Sequence, residues 1–237
     1  LGVNNIIGID IFNEPWDYTW AEWKRLSEAA FARIDSVNPN LLIVVEGISA
    51  SANNQDDTTD TKVEVPHGSD ETNPNWGENM FEVGANPLDI PQDRLVLSPH
   101  TYGASVFVQK HFFDPAQPEC AELEDLEGAA AGCNIVIDAA RLNPGWEEHF
   151  GYLRDSGYAL WDGEFGGNWD WPSKATLQAQ RDWDHIQPGI VDGQWQTAFV
   201  DYMVSRGIQG CYWGMNPESG ETGGWYLHAY DPVSATG

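Results

Sequence analysis

The first apolar run, Ile6-Ile7-Gly8-Ile9-Asp10-Ile11-Phe12, is short, rich in β-branched residues and closed by Asn13-Glu14-Pro15. Such a run predicts a buried strand. Pro15 ends it, because proline lacks a backbone N–H and pushes the residue before it toward extended backbone. Glu14 therefore falls where a strand passes into a loop. Residues 19–37 then place Trp20, Trp23, Leu26, Ala30, Ile34 and Val37 at helical spacing, and Asn38-Pro39-Asn40 stops that helix. Residues 41–47 (LLIVVEG) predict a second buried strand. Strand, helix and strand at this spacing make a βαβ unit, hence parallel strands.

The pattern continues in the same alternation. Residues 48–94 are long, polar and turn-rich, with Trp76 standing among polar neighbours, and loops of this length are usually either functional or disordered. A third strand starts at residues 95–98 and runs into His100-Thr101-Tyr102-Gly103. A second long loop, 104–138, holds Cys120 and Cys133. Residues 143–156 carry Trp146, Phe150 and Leu153 on one helical face, with Gly157 as the stop. Tyr158-Ala159-Leu160-Trp161 predicts a fourth strand leading into Asp162-Gly163-Glu164-Phe165-Gly166-Gly167. A Trp-rich loop (Asn168-Trp169-Asp170-Trp171), a helix over 194–205 and a fifth strand over 209–213 complete the series. Polar or aromatic residues (Glu14, Glu46, His100, Glu164, Trp213) recur near strand C-terminal ends. A (β/α) barrel builds its active site from those ends, so it explains the pattern better than a doubly wound sheet. The chain also lacks a glycine fingerprint for a dinucleotide or phosphate.

Charge narrows the partners. Among 237 residues, 37 Asp and Glu stand against 11 Lys and Arg, a formal net charge of −26. Such a chain repels nucleic acid and anionic membrane surfaces and suits a neutral substrate. No run approaches the roughly 18 apolar residues of a membrane span. A Cys120–Cys133 disulfide would close a short loop, stabilise the fold by about 3 kcal/mol and point to an oxidising compartment. Cys211, in the last predicted strand, reads as a small buried apolar residue. His67, His111 and Asp56-Asp57 lack metal-ligand spacing, so neither a catalytic metal nor another cofactor is expected.

Glu14 and Glu164 carry the chemistry. In a barrel both would point into one mouth, and two carboxyl groups flanking a glycosidic bond are what glycoside hydrolysis needs. One protonates the leaving oxygen and the other attacks or activates water. A neighbouring carboxylate also favours retention of the proton on the acid.

Asn13-Glu14-Pro15, His100-x-Tyr102, Gly163-Glu164-Phe165-Gly166 and Trp213 resemble, in order, the motifs of glycoside hydrolase family 5, the cellulase family of retaining (β/α)8 barrels. Ser36-Val37-Asn38-Pro39 with Leu42–Gly47, and Asn216-Pro217-Glu218-Ser219-Gly220-Glu221-Thr222-Gly223-Gly224, are similar to its bacterial endo-β-1,4-glucanase branch. The resemblance covers nearly the whole chain. It implies Glu14 as acid/base, Glu164 as nucleophile, Asn13 on the sugar 2-hydroxyl, Tyr102 on the nucleophile, His100 on substrate or carboxylates, and Trp213 as an apolar sugar platform. Trp76, Trp169 and Trp171 are further candidate platforms, whereas Trp20, Trp23, Trp146 and Trp195 read as core. Glu46 matches no catalytic position of the family.

The resemblance starts at the family's fourth strand. It therefore implies a partial (β/α)8 barrel of about five βα units, strands 4–8, with residues 1–237 forming one incomplete catalytic domain. Five strands cannot close an eight-stranded barrel, and the exposed sheet edges predict self-association or pairing with a missing N-terminal half. The implied activity is secreted, retaining cleavage of internal β-1,4 bonds in β-glucan. A β-mannanase uses the same site plan. An incomplete site would leave a glucan-binding or self-assembling half-barrel.

Overall fold

The computed structural model describes residues 5–53, 62–172, 182–186, 191–215 and 222. Within these, the chain packs as two compact units. The first lies within Leu1–Asp70, Pro74–Thr101 and Gly145–Gly163; the second lies within Glu71–Asn73, Tyr102–Pro144 and Glu164–Gly237.

The first unit is built on parallel strands. β1 (Gly8–Asp10) pairs with β2 (Leu42–Val45), and β2 pairs in turn with the later strand at Leu95–Leu97. An antiparallel hairpin, β3 (Ser51–Asn53) and β4 (Lys62–Glu64), interrupts the long polar stretch that the sequence pattern leaves as loop. β5 (Leu95–Leu97) and β6 (His100–Tyr102) are separate strands, where one was expected. Pro99 sits at the break and has no N–H to offer a ladder. β7 (Ala159–Gly166) pairs in parallel with β5 through Val96↔Ala159 and Leu97↔Leu160. Ile43, Val45, Leu95 and Leu97 fill the core between them.

Helix α1 (Trp20–Asp35) begins at Thr19, whose side chain and that of Glu22 form a capping box. Its buried stripe is Trp20, Trp23 and Ser27; Leu26 and Val37 are exposed. The Trp23 indole N–H donates to the Glu46 carbonyl at 2.7 Å, so the helix grips the end of β2 directly.

β1 departs from expectation. The apolar run predicted a buried strand, yet only three residues are strand, and Ile6, Ile7 and Phe12 are 56%, 70% and 48% exposed. The reason is topological: β1 ends the strand order, with a partner on one side only among the described residues.

Three further helices follow in the chain, α2 (Asp125–Ala131), α3 (Ala139–His149) and α4 (Val191–Arg206), and the second unit centres on α4. Trp195 and Phe199 of α4 are stacked and buried, and Phe165 of β7 packs against Phe199. α2 lies in the stretch that the pattern left as loop. α3 starts four residues before the predicted helix, tolerates Pro144 inside it and stops at His149; a 3-10 turn over Gly151–Arg154 follows. Gly157, at φ +81°, ends that turn in the left-handed region. Cys120 and Cys133 are joined, as expected.

Two further expectations are corrected. Cys211 does lie in a strand, β8 (Gln209–Tyr212), but that strand is largely open to solvent and the thiol is exposed. Trp171 is 2% exposed, packed against Trp183, and so is a core residue rather than a platform. Trp20, Trp23, Trp146 and Trp195 are buried as expected. Of the run 216–224, only Thr222, which is buried, lies within the described residues, and Asp56-Asp57 lies outside them.

Candidate active site

In the first unit the site grows from the C-terminal ends of β1, β2 and β6. After β1 the chain turns sharply: Glu14 has φ +46°, a left-handed conformation that non-glycine residues adopt at a cost of about 1–3 kcal/mol. The Trp16 N–H donates to the Glu14 carbonyl at 2.7 Å and closes the turn. Asn13 beside it is exposed and Pro15 is buried. The Glu14 carboxyl is partly exposed, and its Oε1 lies 3.1 Å from Nδ1 of the buried His100.

Glu46 follows β2 and is 1% exposed. Its Oε2 accepts the Glu14 backbone N–H at 2.7 Å, and its Oε1 is 3.5 Å from His100 Nε2. Loss of hydration first, then the charge of Asp10, pushes the Glu46 carboxyl up to about 9, so it holds its proton at neutral pH and donates it toward Asp10. Asp10 is also raised, chiefly by lost hydration; its surface is largely open on the β1 edge, so the consequence there is smaller than at Glu46.

Gly77 passes over this group at φ +79°, and a Cβ there would stand 2.8 Å from Glu46 Oε2 and 3.4 Å from Glu14 Cγ. The neighbouring Trp76 is 54% exposed and stacks on the 39%-exposed Trp16, ring centroids 5.4 Å apart. The Trp16–Trp76 pair is thus a solvent-facing aromatic ledge, with Trp16 two residues after Glu14 and Trp76 next to Gly77.

The second unit carries its own candidate residues on β6, β7 and β8. Glu164 lies inside β7, not in a loop after it as the glycines around it suggested. The strand continues because the Gly103 N–H reaches the Gly166 carbonyl at 3.0 Å and the Trp213 N–H reaches the Phe165 carbonyl at 2.8 Å. The Tyr102 hydroxyl donates to Glu164 Oε2 at 2.6 Å. Tyr102 is nearly buried, so its donor is fixed in direction. Trp213, just past β8, and Trp169, after β7, are 46% and 51% exposed.

The loops beneath these residues are anchored by α4. Buried Asp192, raised to about 7 by burial, accepts the Ser105 backbone N–H at 3.0 Å and its hydroxyl, and the Ser105 Oγ in turn accepts the Asn168 N–H at 2.7 Å. Gln196 Nε2 donates to the Gly167 carbonyl at 2.9 Å, as does the Tyr212 hydroxyl. The turns that follow Tyr102 and Glu164 are thereby tied to one rigid helix.

Two groups of the first unit have metal-type donors within 4.8 Å of one another: Asp10, Glu46 and His100, and Glu64, His67 and Asp70. The second corrects the reading that His67 lacks spacing for a ligand set; the hairpin and the turn after it bring residues three apart together.

Asp10, Glu46 and Trp16 were missed as site residues. A charged residue inside the apolar run of β1 and another ending the apolar run of β2 were the available signals, since a carboxyl at a parallel strand's C-terminal end is either solvated or part of a site.

Comparison with known proteins places the chain in a family and a fold. Residues 1–219 match the family model described as Cellulase (glycosyl hydrolase family 5). The chain is 62% identical over 236 residues to Endoglucanase C of Cellvibrio japonicus, covering 99% of this chain and 32% of that protein. It is 33% identical to the major extracellular endoglucanase of Xanthomonas campestris, covering 92% of this chain and 36% of that protein. Among solved structures, the catalytic domain of the Xanthomonas campestris major endoglucanase superposes with a TM-score of 0.64 at 32% identity, covering 93% of this chain and 51% of that one. A hyperthermophilic endocellulase of Pyrococcus horikoshii gives 0.62 at 27% identity, with 93% and 52% covered. The chain thus spans about a third of the length of these curated relatives and about half of each solved chain. Its fold is a partial (β/α)8 barrel.

Proposed function

The chain belongs to the cellulases of glycosyl hydrolase family 5, and on that premise we propose that it is the part of an endo-β-1,4-glucanase catalytic domain that carries both catalytic carboxyl groups. Glu164 is the nucleophile. It attacks the anomeric carbon while Glu14 delivers a proton to the leaving glycosidic oxygen, and the sugar is left as a covalent ester on Glu164. Glu14, now a carboxylate, takes a proton from water, whose oxygen displaces Glu164 and releases a product of retained configuration.

The observation that carries this reading is the Tyr102 hydroxyl on Glu164 Oε2. A nucleophilic carboxylate must keep one lone pair aimed at carbon, and a fixed donor on its other oxygen holds it so. Asn13 contacts the sugar 2-hydroxyl, and His100 bears on Glu14. Trp213, Trp169 and Trp76, all half-exposed, each offer an apolar face to a sugar ring. The name of the Xanthomonas relative, an extracellular endoglucanase, and the Cys120–Cys133 disulfide both support a secreted protein. The exposed apolar residues flanking β1 support a further partner segment, from an N-terminal half or a second copy, laid along that edge.

The test is reducing-sugar release from carboxymethylcellulose, with Glu164→Gln as control and carboxymethylated mannan as competing substrate. Release from the glucan, abolished by the substitution, is expected. Equal release by the control, or preference for mannan, overturns the assignment.

A further inference from the structure

Three contacts close a ring in the first unit. The Glu14 N–H is bound to Glu46 Oε2 at 2.7 Å, Glu46 Oε1 lies 3.5 Å from His100 Nε2, and His100 Nδ1 lies 3.1 Å from Glu14 Oε1. The ring starts and ends on Glu14, entering by its backbone and leaving by its carboxyl. We propose that Glu46 is the positioning residue for Glu14: one buried carboxyl group fixes the Glu14 backbone and, through His100, the direction in which the Glu14 carboxyl points. The proposal rests on Glu14 being the acid/base.

The surroundings fit a built device. Glu14 sits at φ +46°, a conformation that relaxes unless something holds it, and the hydrogen bond to Glu46 falls on that residue's own N–H. Glu46 is itself clamped from both sides. The Trp23 indole binds its carbonyl at 2.7 Å, and the Gly47 N–H that follows binds the Gly77 carbonyl at 2.8 Å. Gly77 crosses so closely that any larger residue would strike Glu46 Oε2. A protonated Glu46 gives its proton toward Asp10 and keeps an acceptor for the Glu14 N–H, and glutamine can do both. The charged and titratable groups facing it are Asp10, Glu14 and His100.

The experiment compares Glu46→Ala, Glu46→Asp and Glu46→Gln in the full chain by two readouts. The first is the amide resonance of Glu14 in 15N-Glu-labelled protein, assigned by its loss in Glu14→Gln. Glu46→Ala and Glu46→Asp, which withdraw the acceptor, should move the amide proton upfield; Glu46→Gln should leave it in place. The second is kcat/KM on carboxymethylcellulose against 2,4-dinitrophenyl β-cellobioside, whose leaving group departs without a proton. Misplacing Glu14 should lower the first by about 10²-fold and barely touch the second, with rescue by Glu46→Gln. An unmoved Glu14 amide in Glu46→Ala, or equal loss on both substrates, overturns the proposal and leaves Glu46 a plain core residue. Should the unaltered chain turn over neither substrate, the functional reading fails, while the amide shift still decides the positioning role.

Discussion

Replacing Glu46 by Gln should make the protein more stable, by an amount that grows with pH. In the folded chain the Glu46 carboxyl titrates at about 9, against 4.5 for an ordinary glutamate. The folded state therefore keeps a proton that the unfolded chain releases above pH 4.5. By linkage, the stability this group contributes is fully present below about pH 4.5 and is lost progressively as pH rises through 9, at about 1.4 kcal/mol per pH unit. At pH 7 the loss is on the order of 3 kcal/mol. Glutamine keeps the acceptor for the Glu14 N–H and a donor toward Asp10 but has no proton to lose. Urea unfolding followed by tryptophan fluorescence at pH 5 and pH 8 should show the unaltered chain losing up to about 4 kcal/mol relative to Glu46→Gln between the two. A stability difference between the two proteins that is the same at both pH values would refute the reasoning, because it would mean that Glu46 is ionised in the folded state.

Other perturbations separate the two units. Replacing both Cys120 and Cys133 by Ser should destabilise the second unit by about 3 kcal/mol, measured as a fall in the urea midpoint, since the bond closes a loop with a sequence separation of 13. Tyr102→Phe removes a hydrogen bond to a charged oxygen, worth about 1.5–3 kcal/mol, and should lower kcat by about 10- to 10²-fold with little change in KM. Gly77→Ala meets both a left-handed backbone and Glu46 Oε2, and should cost about 1–3 kcal/mol of stability in thermal unfolding while moving the Glu14 amide resonance.

The sequence pattern located the two carboxyl groups because each has punctuation around it. Pro15 stops the strand before Glu14, and glycines surround Glu164. The same glycines misled in one respect. The predicted strand ends at Trp161, ahead of Gly163 and Gly166, yet β7 continues through them because Gly103 and Trp213 bring N–H groups to its carbonyls, and those partners are distant in sequence. Glu46 was visible only as an acid at a strand end, which a solvated side chain would also be. What marks it as part of the site is three-dimensional: Asp10, Glu14 and His100 on other strands and turns, and Gly77 pressed on top of it. The exposure of Ile6, Ile7 and Phe12 was likewise illegible, because an apolar run looks the same in a central strand and at an edge. Trp20 and Trp23 gave the opposite case, where helical spacing agreed with the packing found.

The central claim, that Glu164 is the nucleophile of a retaining glucanase, is tested most directly by trapping its ester. The chain would be incubated with 2,4-dinitrophenyl 2-deoxy-2-fluoro-β-cellobioside, digested and sequenced by mass spectrometry. The account predicts one added fluorocellobiosyl group, on the peptide bearing Glu164 and absent from Glu164→Gln. A label on Glu14 or elsewhere, or none while dinitrophenol is still released, would contradict it.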